Sequence, residues 1–296
     1  MLASAIRELA VSKNPQWIAA AHFEKTIEIW ESNSLDRITE FSAVFCSGAR
    51  NLALAPTAEI LVTGLSRNHG KVAAYQVPSG RKLWERNLTY PSKLKFGPSG
   101  DSILCTINQR SVLRLDVQTG DIFETIEGTR QYLEDLNGDV LTVPANKEEP
   151  ICLIREGRAF NLYKPSRWVL DAQFSPCSVC LSEANGPVRC ISRVDGKLQW
   201  TFDPGATSHV VGLHYSPGID AFFGVLFNFE NGVSRTLIQF DPTSGKHQQV
   251  CEFHSWEEAL LGTTDQIVTS AGEIRNLSNG ELVGRLPFPQ KEYPGG

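Results

Sequence analysis

The residues able to do chemistry are few and dispersed. Cys177 and Cys180 form a C-x-x-C, the spacing that serves thiolate metal sites and redox pairs. A closed zinc site needs a second such pair, and the nearest further thiol is the lone Cys190, so the two read as unrelated structural thiols. The histidines, His22, His69, His209, His214, His247 and His254, show neither H-x-H nor H-E-x-x-H spacing. No G-x-S-x-G elbow presents a serine nucleophile. No catalytic residue, cofactor or metal ligand is therefore assigned.

Composition narrows what the chain as a whole can do. With 296 residues, 41% apolar and 21% charged, it has the make-up of a globular protein with a sizeable core. A net charge of -5 supplies no global basic field for a polyphosphate, which argues against nucleic acid as the main partner. The first residues, "MLASAIRELAVSKNPQW", lack a basic segment followed by an unbroken apolar run, and no stretch reaches the length needed to span a bilayer. Seven cysteines, odd in number and scattered, fit reduced thiols better than a disulfide framework. The expectation is a soluble, cytoplasmic protein without membrane contact, monomeric on its own.

Internal repetition says most about the elements that position these residues. Turns between short β-like runs recur in "WESNSLDRITEF", "YQVPSGRKLWERN", "LDVQTGDIFETI", "LIREGRAFNL", "SRVDGKLQWTF", "FDPTSGKHQQVCEF" and "RNLSNGELVGRL". Ser34, Gly80, Gly120, Gly157, Gly196, Gly245 and Gly280 mark the turns, at spacings of roughly 35 to 49 residues. Upstream of them, "KLKFGPSG", "DSILCTI" and "SVLRLDV" read as three further short strands, and the pattern returns in "LDAQFSPCSVCLSE" and "GLHYSPGIDAFFGVLF". Four strands per unit and seven units predict an all-β closed radial array, since one such unit cannot bury both of its faces alone. The predicted units cover about 6–41, 44–88, 93–127, 131–163, 168–202, 209–253 and 258–288 in one domain, with a tail at 289–296.

These residues resemble the seven-bladed β-propellers of the WD-repeat and quinoprotein-like superfamily, with "KFGPSGDSILCTINQRSVLRLDVQTGDIFETI" the nearest single repeat. Trp30 stands in the family's WD position, followed by Glu31 in place of aspartate, and no unit has the full Gly-His to Trp-Asp set. Taking Ile6 to Val11 as the innermost strand of blade one and Glu281 to Pro287 as the outermost of blade seven, the ring closes with no strand exchanged between its ends. The tryptophans of "SGRKLWE" and "DGKLQWT", Trp84 and Trp200, resemble the docking residues that fill the wedge between blades in quinoproteins, a place held by Phe123, Ala159 or Phe160, Gln249 and Val283 in other units. The quinone chemistry of that family does not carry over, because it relies on a pair of adjacent cysteines and none of the cysteines here adjoins another.

Two functional expectations follow from the fold. One is a channel-mouth enzyme or small-molecule sensor resembling the calcium-dependent lactonases, which would use Glu8, Asn51, Glu134, Asp135 and Asp171 on the innermost strands. The other, which the residues favour, is a non-enzymatic module that binds a protein partner through one loop face. The loops joining the second strand to the third, and the fourth to the next blade, gather on that face. On this register they carry His22, Phe23, Arg67, His69, Tyr90 and Arg110 in blades one to three. Farther along they carry Arg130, Tyr132, Arg167, Trp168, Phe229, Arg235 and Trp256. Aromatics and arginine are the types enriched at interface hot spots, and loop positions are not forced by core packing. The long blade-six loop "NFENGVSR" and the Pro-containing connector "YKPSRW" strengthen that reading. An assembly scaffold and an inhibitor or immunity-type protein both fit.

Overall fold

A computed structural model describes residues 6–12, 17–22, 26–44, 51–57, 59–66, 70–229, 234–253, 259–261, 266–269 and 272–286. They form seven antiparallel sheets of four consecutive strands each, covering 6–42, 52–88, 91–127, 129–163, 169–202, 208–253 and 259–285. Because every sheet is one unbroken run of the chain, no strand is exchanged where blade seven meets blade one.

Burial explains why these segments read as they do. The second strand of a blade is covered on both sides by its neighbours, so Ile60–Leu65, Ser102–Ile107 and Ser178–Glu183 are almost wholly buried and carry near-continuous apolar runs. The outermost strand is solvated, and Ile122–Glu127 is exposed along nearly all its length.

The joints between blades are built from one recurring contact. Trp84, on the outermost strand of blade two, is buried against the hairpin turn of blade three, and its indole N–H donates to the Val117 carbonyl at 2.8 Å. Trp200 repeats this between blades five and six, donating to the Pro242 carbonyl at 2.9 Å. The partner turn residue must be glycine for two reasons. Gly120 and Gly245 lie in the left-handed region, at φ 72° and 69°. A Cβ on either would also meet the indole at 2.6 Å. Phe41 covers Gly80 in the same manner between blades one and two.

Two expectations are corrected at this level. The left-handed residue of the first turn is Leu35, at φ 60°, and not Ser34, because the N–H of Leu35 closes the turn onto the Glu31 carbonyl. Leu35 then packs against Gly284 of blade seven, so at the closing joint the side chain comes from the turn and the space from the strand. Phe123 is no docking residue: it sits at an irregularity in the outer-strand pairing and turns outward, 59% exposed.

The outward turn of Phe123 faces the one exceptional seam. Apolar clusters join six of the seven neighbouring pairs among the described residues, including blades seven and one through Leu9, Ile18, Trp30, Ile274 and Leu286. Blades three and four share none. Arg114 ties them instead, with its guanidinium 5.4 Å over the Tyr132 ring and a 2.5 Å bond to Glu134. Blades four and five carry a polar tie in addition to their apolar cluster: Arg193, almost fully buried, bonds both Asp135 and Asp139, and Arg155 bonds Asp139.

Three variants check these joints. Trp84→Ala should cost about 3–5 kcal/mol in denaturant unfolding. Gly120→Ala should cost about 2 kcal/mol or more alone and distinctly less in the Trp84→Ala background, where only the backbone strain remains. The bond from Arg155, helped by Arg193 against the opposing effect of burial, holds the Asp139 carboxyl below its ordinary range. Its contribution is therefore complete above the unfolded carboxylate pKa of about 3.9 and is lost as pH falls through the lower folded value. Asp139→Asn should lower the urea midpoint at pH 7 and flatten its fall below about pH 4.

Candidate interaction face

The loop face begins where the second strands end, and the structure sorts the thirteen expected residues there. Phe23, Arg67, His69 and Trp256 lie outside the described residues. His22 ends the second strand of blade one but is buried, its Nε2 3.1 Å from Glu28 Oε2, so it packs inward and does not join the surface. Burial raises the Glu28 carboxyl, and the bonds from His22 and Arg37 more than reverse this, leaving it below its ordinary range.

Tyr90 and Arg110 sit in turns as expected, Tyr90 at 48% exposure. Arg130 and Tyr132 are instead on the innermost strand of blade four, Thr129–Glu134. Tyr132 accepts from Arg114 at 3.1 Å beside the channel and belongs to the seam between blades three and four. Arg130 lies 5.3 Å over the Trp168 ring, so these two form one cation–π unit, with Trp168 still 43% exposed. On blade six, His209 stacks on Phe227 at 5.4 Å, Phe229 lies 5.4 Å from His209, and Arg235 stands 4.5 Å over Phe227. Burial lowers the His209 pKa, which favours a neutral ring in this stack near neutral pH. Phe229 remains 48% exposed.

Between these two aromatic groups opens a cleft of about 450 Å³, lined by Ser166, Arg167, Gly186, Arg189, Thr201 and Asp203 among others. Beneath it is Glu183, the last residue of the second strand of blade five and fully buried. Its carboxylate accepts from the Tyr163 hydroxyl at 2.9 Å, Ser166 Oγ at 3.0 Å, the Arg167 N–H at 3.2 Å and Arg189 Nε at 3.0 Å. Burial, and then the bond to Glu183, push the Tyr163 phenol up to about 12, so it stays a donor at any ordinary pH. Arg189 is also stacked 5.5 Å over the Tyr163 ring. The sequence reading found Arg167 and Trp168 but missed Glu183 and Arg189. The available signal was an acid closing the otherwise unbroken buried run "SVCLSE".

The channel residues are committed elsewhere. In blades one, four and five the innermost strand pairs irregularly near its start, and its third side chain, Glu8, Gln131 or Asp171, reaches the backbone of the next blade. Glu8 Oε1 accepts from the Leu52 N–H at 3.0 Å, and Asp171 Oδ2 from the Leu213 N–H at 2.9 Å. Glu134 and Asp135 pair with Arg114 and Arg193, and Asn51 is fully buried, its backbone carbonyl accepting the Gly64 N–H. Among the described residues no three His, Cys, Asp or Glu side chains converge as an ion site. Cys177 is exposed and Cys180 buried, so the C-x-x-C splits between surface and core. Cys180 faces Cys190 across the sheet, and burial pushes both thiols up, Cys190 to about 11.

The chain is thus a seven-bladed β-propeller with an aromatic and arginine-bearing loop face. No family model and no curated protein matches it. The fold is widely shared among solved structures, 1590 chains matching. One is the crystal structure of the computationally designed Ika8 protein, 17% identical, with a TM-score of 0.64 over 95% of this chain and 86% of that one. At that identity the likeness carries the fold alone. Among the described residues no helix is long and apolar enough to cross a membrane.

Glu183→Gln tests the architecture of the cleft. It keeps the shape but removes the charge that answers Arg189, and should lower unfolding stability by about 3 kcal/mol in chemical denaturation.

Proposed function

We propose that this propeller is a non-catalytic interaction module that binds a protein partner through its loop face, as an assembly scaffold or as an inhibitor of the immunity type. The observation that carries the reading is the set of half-exposed aromatic rings Tyr90, Trp168 and Phe229, on loops that rigid sheets hold in place. Arg130 beside Trp168 and the phenylalanine–histidine stack of blade six give two of these rings fixed supports. Rings held in advance lose little side-chain entropy on binding, and aromatic and arginine side chains are the types that dominate interface energies. The resemblance to WD-repeat propellers, whose loop faces commonly serve protein binding, supports the same reading. A net charge of -5 with arginines gathered on this face suits an acidic or mixed partner surface.

Support for the non-catalytic part comes from the channel, where Glu8, Glu134, Asp135 and Asp171 each hold a structural partner. Two experiments decide the matter. Arg167→Glu combined with Trp168→Ala should abolish partner capture in co-purification from the source cell, and unchanged capture would show that another face is used. Metal analysis of the purified protein should find no stoichiometric calcium; one calcium per chain would overturn the reading in favour of a channel-mouth hydrolase.

A further inference from the structure

The cleft between the two aromatic groups has a chemistry of its own. Arg189 spends Nε on the buried Glu183, and its guanidinium carbon stands 5.5 Å over the Tyr163 ring, so its position is held from two sides. With Nε engaged by Glu183, the two Nη groups are the part of the planar guanidinium left for a ligand in the cleft that Arg189 lines. Arg167 lies along the opposite lip, where its stem passes so close to Gly186 that a Cβ there would meet it at 3.2 Å. Among the described residues nothing accepts from the Arg167 guanidinium or from the Nη groups of Arg189. A cleft walled by two guanidinium forks, one of them anchored from below, is built to take a planar oxyanion.

Charge balance narrows the class. Arg167 and Arg189 face Glu183 beneath and Asp203 on the rim, where Asp203 accepts the Gly205 N–H at 2.9 Å. With the positive charge already answered in number, the cleft accommodates one added negative charge far better than two. We propose, resting on the interaction-face reading, that this cleft is the specificity pocket of the face and receives a single carboxylate of the partner polypeptide. A phosphate dianion is disfavoured there. Trp168, next to Arg167, would cover the residues flanking that carboxylate.

The test uses the whole protein and small probes. N-acetyl-glutamate N-methylamide represents an acidic side chain, N-acetyl-alanine a chain terminus, and N-acetyl-glutamine N-methylamide and the doubly blocked N-acetyl-O-phosphoserine N-methylamide serve as comparisons. Arginine Nε and Gly186 amide signals are followed by NMR. One of the two carboxylates should produce saturable shifts at Arg167, Arg189 and Gly186 in the millimolar range, and which one does so tells side chain from terminus. The glutamine probe should produce none, and phosphoserine should bind at least about tenfold more weakly than the better carboxylate. Arg167→Gln, which keeps the stem beside Gly186 and removes no guanidinium hydrogen bond or ion pair among the described residues, should weaken carboxylate binding about tenfold or more. Absence of saturable shifts, shifts unchanged in Arg167→Gln, or phosphoserine binding as well as the carboxylates would overturn the proposal. If partner capture still depends on Trp168 under those outcomes, the face reading stands and only the carboxylate pocket fails.

Discussion

The molecule depends on one contact: a side chain on the outer strand of one blade laid over the hairpin turn of the next. A four-stranded sheet of this size has two apolar faces and no means of covering them itself, so each blade is stable only between neighbours. Trp84 and Trp200 meet this demand most fully, because an indole supplies a large flat apolar area and an N–H whose acceptor, the Val117 or Pro242 carbonyl, lies in the turn it covers. The contact also dictates glycine at the turn it covers, Gly120 under Trp84 and Gly245 under Trp200, one blade farther along the chain.

Where that contact is missing, charge takes its place. Between blades three and four no apolar cluster forms, and Arg114 spans the seam to Tyr132 and Glu134. Six apolar joints hold the ring closed around this polar one, so the seam can be ionic without opening the fold. The innermost strands supply further ties, since their irregular pairing redirects Glu8, Gln131 and Asp171 from the channel to the backbone of a neighbouring blade. Carboxylates that look like channel chemistry in the sequence are in this way spent on holding the ring together.

The loop face inherits its rigidity from these joints. Arg130 and Trp168 come from blade four and from the connector into blade five, and the Glu183 network reaches from the outer strand of blade four to the turn of blade five. The surface offered to a partner is therefore built across blade boundaries. Its side chains are held in place by the same packing that closes the ring, and the buried Glu183 fixes the arginine above it without leaving either charge unanswered.

Blade number, strand count and the docking tryptophans were legible because they rest on local rules: turn chemistry, alternation of apolar residues, and a spacing that repeats. Sequence alone therefore determined that this chain is a ring of seven sheets and that Trp84 and Trp200 lie in its joints. Partnerships across blades were not legible. Phe123 turns outward, Leu35 takes the left-handed turn position, His22 packs on Glu28, and Glu183 gathers donors from three segments. Each of these depends on strand register and on the angle between neighbouring sheets, distances that no local pattern encodes. Only the tertiary structure decided which acids serve the ring, which arginines face the cleft, and that the two lie one layer apart.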